Sequence, residues 1–506
     1  MTVTLARLAF LLPAVTLLLL GFFHRRGEAA KRVSVVSAAL SLIAVTALGL
    51  HVPQNGMTVL IDANWIPALG ARWKMVLTAP GYLMLWVTAF STLLAVAASV
   101  REISAEKGPA CALHFAALFL IQTALYGVFT ARDLLLFFLS YETVLIPMYL
   151  LILIWGGRKR RYAALKFLLF TIFGSLPLFV SIMILGVVSA RVYGNMVFDL
   201  DILIKLRPDL LATTLKIFSL PVTLKGLLFA GFLLAFLVKI PLWPLHTWLP
   251  DAHTEAPTAG SIVLAGVLLK MGTYGLAVIA LPLFPSLARE WAPFFSVLAV
   301  CGILFGALAS YAQDDAKRLV AYSSVSHMGF VVLGLFSFTV EGYLGAFLQM
   351  AAHGVATGVL FYFVGALYRR RHERKLTSFG DLATIEPALT GWAGVAAFAS
   401  AALPGTAGFA AEILIFFGVF STRPLLAFLV APAVILSASY MLKFFRFVAF
   451  EEADPEFRRR WDGILPEELF FVALCAILLV VVGVAPHGTV YSWIRPAIEG
   501  LLGGLR

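Results

Sequence analysis

Runs of about 20 apolar residues alternate with short polar stretches along almost the whole chain, and each run is long enough to cross a hydrocarbon layer roughly 30 Å thick as a helix. Fourteen such spans are predicted, at 5–23, 31–51, 80–100, 110–130, 133–155, 162–190, 223–250, 257–281, 291–311, 318–338, 341–367, 386–420, 424–448 and 466–487. No soluble domain fits between them. The first run has only Arg7 ahead of it, and its basic cluster, Arg25, Arg26, Lys31 and Arg32, comes behind. That is the reverse of a secretory signal, so the run is expected to be a retained anchor. The predicted fold class is all-α, a polytopic membrane protein of about 14 transmembrane helices.

Composition agrees with this pattern: 61% of the 506 residues are hydrophobic and 13% charged, with a mean hydropathy of +0.95. The net charge of +11 would fit nucleic acid or anionic substrates if it were gathered on one surface. Instead it sits in short loops such as "RKRR" (158–161) and "RRRHERK" (369–375), where topology explains it. Assigning loops alternately to two sides puts 22 of the 38 Lys and Arg on the side of residues 24–32 and 13 on the other, with Lys166, Lys239 and Lys270 inside spans. Basic loops stay cytoplasmic, so both termini are expected on the outer, periplasmic side of a bacterial inner membrane, and no nucleic-acid partner is expected. Cys111, Cys301 and Cys475 stand alone in apolar runs, which offers no iron–sulfur ligand set or disulfide framework. No GxGxxG or Walker A stretch occurs either. Neither a redox centre, a metal nor a nucleotide is expected in this chain.

A charge at the centre of a membrane helix costs roughly 2.5–3.5 kcal/mol on insertion scales, so ionisable residues persist there mainly where they pair or face a hydrated path. The candidates are Glu142, Lys166, Lys239, Lys270, His327, His353 and Glu412. Each has a plainer reading. Lys166 lies about a turn inside its span and can snorkel to the interface. The two histidines can be core imidazoles bonded to Ser or backbone groups, and Glu142 can bond a neighbouring helix. Lys239, Lys270 and Glu412 resist such readings, the first and last because they adjoin helix breaks and the second because it is mid-span.

After Lys239 the chain reads "IPLWPLHTWLP", and Pro241 and Pro244 prevent a regular helix by removing donors and clashing with the preceding turn. Unwound backbone at membrane depth survives only if buried in protein or facing water. A second break is predicted around 402–412, at "ALPGTAGF" just before Glu412. Two interrupted helices beside ionisable side chains point to a transporter built from internal repeats. Glu142 precedes Lys239 by 97 residues and His327 precedes Glu412 by 85, a spacing in keeping with two halves. The expected division is 1–109 (helices 1–3), 110–285 (first repeat), 286–450 (second, inverted repeat) and 451–506 (loop and last helix). In such a row, burial and an opposite charge act on a lysine or glutamate in opposite senses, so a Glu142/Lys239 pair that separates and rejoins would release and retake a proton. Lys270, His327 and His353 suit relay positions toward Glu412.

"VKIPLWPLHTWLPDAHTEAPTAGSIVLAGVLLKMGTYGL" (238–276) closely resembles the signature of the antiporter-like subunits of respiratory complex I. The likeness continues through "QDDAKRLVAYSSVSHMGFVVLGLFS" (313–337), "GAFLQMAAHGVATGVLFYFVGALYRRRHER" (345–374) and "LPGTAGFAAEILIFFG" (403–418), and covers roughly 110–450. Within the family it resembles the M type more than the L and N types, on "DAHTEAPTAG" at 251–260, on Glu412 where the others carry lysine, and on the absence of a long lateral helix after helix fourteen. The resemblance implies two inverted five-helix repeats, with Glu142 and Lys239 coupling conformational change to proton movement. Lys270 would be the central relay, His327 and His353 would extend the hydrophilic axis, and Glu412 would stand at the exit. His246 and Asp251 match the motif at the membrane edge, as helix-end structure or as proton uptake groups. The resemblance also implies partners: L-type and N-type antiporter-like subunits, and others holding FMN, iron–sulfur clusters and quinone. The chain departs from the family pattern at Ala407, at Ala411 and over 77–83. The alternatives are a subunit of a multi-subunit sodium/proton antiporter, of a membrane-bound hydrogenase-type complex, or a structural spacer with a degenerate path.

Overall fold

In a membrane core every backbone polar group must be satisfied within its own segment, and apolar runs answer by coiling into helices. The computed structural model describes residues 2–207, 214–217, 220–452 and 461–505. In chain order its main elements begin with α1 (Thr2–Phe22), α2 (Gly27–Gly49), β1 (Thr58–Ile66), β2 (Ala71–Leu77), α3 (Ala79–Glu102) and α4 (Gly108–Thr130). There follow α5 (Leu134–Trp155), α6 (Arg160–Tyr193), α7 (Leu200–Leu206), β3 (Thr214–Ile217), β4 (Leu220–Thr223), α8 (Leu224–Lys239) and α9 (Trp248–Glu255). The rest are α10 (Thr258–Leu283), α11 (Pro285–Tyr311), α12 (Ala316–Leu335), α13 (Val340–Arg371), α14 (Pro387–Ser400), α15 (Ala407–Phe420), α16 (Pro424–Ala449), α17 (Pro466–Val484) and α18 (Ser492–Leu505).

Among the described residues, 12 helices are long and apolar enough to cross a membrane: α1–α6, α10–α13, α16 and α17. The two remaining predicted spans, 223–250 and 386–420, are each two shorter helices end to end, α8 with α9 and α14 with α15. Side chains that cap helix starts explain several turning points. Asp133 accepts from the backbone N–H of Leu135 and Leu136 at 2.9 and 3.1 Å, Asp315 from Arg318 at 2.9 Å and Thr339 from Gly342 at 3.1 Å.

The loops gather at two ends. At one, which carries the basic runs, Glu255 accepts from the backbone N–H of Lys159, Glu102 accepts from that of Thr258, Arg374 meets Asp315, and Arg101 meets Glu467. Those loops are the ones alternate assignment places on the basic side. Of the charges counted there, Arg458, Arg459 and Arg460 lie outside the described residues. At the opposite end stands an antiparallel hairpin of β1 and β2, which the hydropathy pattern did not predict. Its anchor is electrostatic: Lys74 reaches Asp199 at 2.6 Å and Asp201 at 3.2 Å, while Arg132 bonds Asp201 at 2.7 Å. Burial works against the charge on Lys74, but Asp199 and Asp201 outweigh it and raise its pKa; burial likewise opposes Asp201, yet Arg132 and Lys74 hold its carboxyl below the ordinary range.

The core is concentrated in three helices. Every residue of α10 is buried, and α12 and α13 are buried over most of their length, whereas α1, α2 and α6 turn much of their surface outward.

Candidate functional site

The first break is built as the prolines require. α8 ends at Lys239, the chain unwinds over 240–247, and α9 resumes at Trp248. The indole N–H of Trp248 donates to the carbonyl of Val238 at 2.9 Å, satisfying an acceptor that the interrupted helix leaves open. Gly272 of α10 lets that helix close on the break, since a Cβ there would stand 2.7 Å from the Phe236 carbonyl oxygen. The second break spans 401–406, where Gly405 takes a φ of +89° that a side chain would strain. It ends sooner than the predicted 402–412, so Glu412 lies inside α15, more than a turn past the break. Here Gly345 of α13 plays the part of Gly272, its added Cβ falling 2.7 Å from the Ala411 carbonyl oxygen.

Lys239 is 1% exposed, and its ammonium has no hydrogen-bond partner. Aromatic faces surround it instead, Tyr141 at 5.0 Å and Phe167 at 5.7 Å from the ring centroids. Glu142 interacts with it through space without a direct bond, and the Oε1 of Glu142 is buried without a partner. These two therefore stand apart.

The other four predicted residues form one connected row. α10 widens into π-helical turns at Leu264–Leu268 and Leu276–Ala280, on either side of Lys270. The Lys270 ammonium bonds the Ala265 carbonyl and lies 2.7 Å from Nδ1 of His353 on α13. The His353 and His327 rings meet edge to face at 5.6 Å. His327, on α12, places Nδ1 3.1 Å from Oε1 of Glu412 on α15. Lys270, His327 and His353 thus occupy the three most buried helices, and Glu412 closes the row.

Three participants were not singled out from the sequence. Gln349 directs its Nε2 at both His327 Nδ1 and Glu412 Oε1, each at 3.2 Å. It stands four residues before His353 and so on the same helical face, a spacing that could have found it. Ser400 and Tyr440 approach Nε2 of His327 at 3.3 and 3.4 Å; they come from distant segments, and no local pattern marks them. Lys166 belongs elsewhere, because its ammonium pairs with Asp251 at 2.6 Å and ties α6 to α9. Asp251 thereby joins α9 to α6, while His246 packs against Phe305 at 4.9 Å with its Nδ1 unpartnered. Among the described residues no group of three or more His, Cys, Asp or Glu could hold a metal ion.

Hydrogen bonds join Lys270 to His353 and His327 to Glu412, along which a proton can pass by exchange; between the two histidines there is ring contact only, and Nε2 of His353 is buried without a partner, so that step needs a ring to turn.

Comparison with known proteins gives a consistent picture. The family model described as "NADH:quinone oxidoreductase/Mrp antiporter, TM" matches residues 131–437. NADH-quinone oxidoreductase subunit M of Rickettsia conorii is 32% identical over 504 residues, covering 98% of each chain. The subunit M of Rhodobacter capsulatus is 36% identical over 471 residues, covering 93% of this chain and 89% of its own. Among solved structures, a chain of respiratory complex I from Thermus thermophilus superposes with a TM-score of 0.83 at 32% identity, covering 100% of both chains. A chain of the Mrp complex from Dietzia sp. shares the fold, with a TM-score of 0.81 at 23% identity, covering 99% of this chain and 52% of that one.

Proposed function

This chain belongs to the family of proton-antiporter transmembrane subunits that NADH:quinone oxidoreductases and Mrp antiporters share, and on that premise we propose that it is a proton-translocating membrane-arm subunit of an NADH:quinone oxidoreductase. The observation that carries this reading is the contact from Lys270 through His353 and His327 to Glu412, with all four side chains buried.

In the mechanism, Lys239 is the loading site. Its ammonium has only aromatic faces and the Glu142 charge to hold it, so its affinity for a proton depends on how near Glu142 stands. Moving Glu142 away releases the proton toward Lys270, and the row delivers it to Glu412. From Lys270 to Glu412 only the His353–His327 step lacks a hydrogen bond, whereas Glu142 and Lys239 have no direct bond between them. Runs α4–α10 and α11–α16 each have their fourth crossing interrupted, which supports two repeats. Each run makes five crossings, so the second is inverted relative to the first. The basic end faces the cytoplasm, and both termini lie on the periplasmic side of a bacterial inner membrane. The driving redox chemistry, with FMN, iron–sulfur clusters and quinone, resides in other subunits, and L-type and N-type antiporter-like subunits are neighbours.

The test is to draw the tagged chain gently from its native membrane, identify its companions by mass and assay NADH-driven quinone reduction. Flavin and iron–sulfur proteins with that activity are expected. A partner set without any redox protein would overturn the proposal and leave a cation/proton antiporter in its place.

A further inference from the structure

A groove bounded by α1, α4, α5 and the β1–β2 hairpin takes no part in the buried row. It encloses about 540 Å³ and opens on the outer surface, where Leu11, Leu139 and Trp73 of its walls are 56%, 42% and 39% exposed. Close packing of α4 on α5 forms its floor, since a Cβ on Gly127 would fall 2.4 Å from Oγ of Ser140. The walls are largely apolar. Two of the hydroxyls that reach them, on Thr123 and Thr143, are spent on the carbonyls of Phe119 and Leu139 at 2.8 and 2.7 Å. A polar molecule finds few partners in such a lining, and an apolar chain loses nothing by entering it.

Among the described residues that line the groove, Arg7 alone is charged. It is exposed, and among the described residues it has no acidic partner. It stands five residues into α1, about 7.5 Å along the axis from Thr2. A guanidinium at that depth in an apolar helix is stabilised by an anion brought to it. Beside it Trp65 and Trp73 meet edge to face at 5.4 Å, and indoles favour the headgroup level of a bilayer. From these three side chains the groove runs along α5 from Leu136 to Thr143, about 10 Å toward the membrane centre. A cation and two indoles at the top, with an apolar channel below, match the order of phosphate, ester and hydrocarbon in a lipid.

We propose that this groove is a phospholipid site in the leaflet on the hairpin side, with the phosphate on Arg7 and one acyl chain lying against α4 and α5. The planar guanidinium offers paired N–H donors to phosphate oxygens, and the chain covers apolar wall that open groove would leave exposed. The site requires only that the chain spans a membrane, and it is separate from the proton row. It has a mechanical consequence, because α5 also carries Glu142, so a seated chain braces the helix that holds one member of the Glu142/Lys239 pair.

The experiment places the intact assembly in vesicles containing phosphatidylglycerol with a photoreactive diazirine midway along one acyl chain, irradiates it, and maps adducts by peptide mass. A diacylglycerol with the same labelled chain but no phosphate serves as the comparison probe. Phosphatidylglycerol adducts are expected within 120–143. They should fall about tenfold in Arg7→Gln, as for a lost charge-assisted contact, and persist in Arg7→Lys. Diacylglycerol should label the same segment weakly and without regard to Arg7. Position 7 is exposed, so Arg7→Gln is expected to assemble and to keep NADH-driven quinone reduction. Should it fail to assemble, Leu120→Trp, which fills the inner end of the groove, must abolish the adducts of both probes within 120–143. No adducts in that segment, equal labelling by the two probes, labelling indifferent to Arg7→Gln, or a neighbouring subunit found against the groove in place of lipid overturns the proposal.

Discussion

Lys239 and Lys270 are both buried lysines in membrane helices, and the structure predicts opposite consequences when each is replaced by methionine, which keeps the unbranched stem. For Lys239 the buried charge costs about 2.5–3.5 kcal/mol on insertion scales. Two aromatic faces, at 5.0 and 5.7 Å, return about 0.5–2 kcal/mol of that. Glu142 returns a further part without a direct bond, which leaves methionine ahead by about 1 kcal/mol. Lys270 carries the same burial cost but makes two hydrogen bonds, to His353 and Ala265, worth about 1.5–3 kcal/mol each for a charged donor. Its removal also strands Nδ1 of His353, so Lys270→Met is expected to lose about 2 kcal/mol. The assay is amide hydrogen exchange on the purified assembly, following 224–255 for Lys239→Met and 258–283 for Lys270→Met. Since 1 kcal/mol corresponds to about a fivefold change in the opening equilibrium, Lys239→Met should slow exchange about fivefold and Lys270→Met should accelerate it more than tenfold. Both variants should lower the proton/electron ratio. If the two shift exchange in the same direction, the assignment of one ammonium as unpaired and the other as bonded is wrong.

Gln349→Leu removes donors at 3.2 Å from both His327 and Glu412, and a lost bond to a charged partner of about 1.5 kcal/mol slows proton transfer along the row roughly tenfold. Proton release after a single turnover would measure this, and an unchanged rate would show that Gln349 only fills space. The hairpin anchor has a defined pH window. Asp201, held below its ordinary 3.8, contributes stability that is present above that value and is lost as the pH falls through its lowered pKa. Lys74, raised above 10.5, contributes stability that is present below that value and is lost as the pH rises through its raised pKa. Exchange of the amides in 58–77 should therefore be protected alike from about pH 5 to pH 9 and lose protection only in strong acid or alkali; a change near neutrality would refute the assignment.

Local pattern and composition determined the class of this protein. Apolar length set the helices, the prolines after Lys239 set the first break, and Gly405 within "LPG" marked the second, because each is a backbone constraint that acts on its nearest neighbours. The cost of burying charge was equally local, which is why Glu142, Lys239, Lys270, His327, His353 and Glu412 could be named from the chain alone. The β1–β2 hairpin escaped because it stands beyond the apolar spans, where hydropathy carries no signal, and its anchor joins residues 125 positions apart. Tertiary packing alone decided which charges meet. Lys166 and Lys270 are both lysines within apolar runs, yet one finds Asp251 across 85 residues and the other His353 across 83. Only the close approach of α13 to α15 at Gly345 and the convergence of α10, α12 and α13 turn scattered ionisable residues into a row. A hydrogen bond is fixed by distances of about 3 Å, and those depend on how helices far apart in sequence are placed against one another.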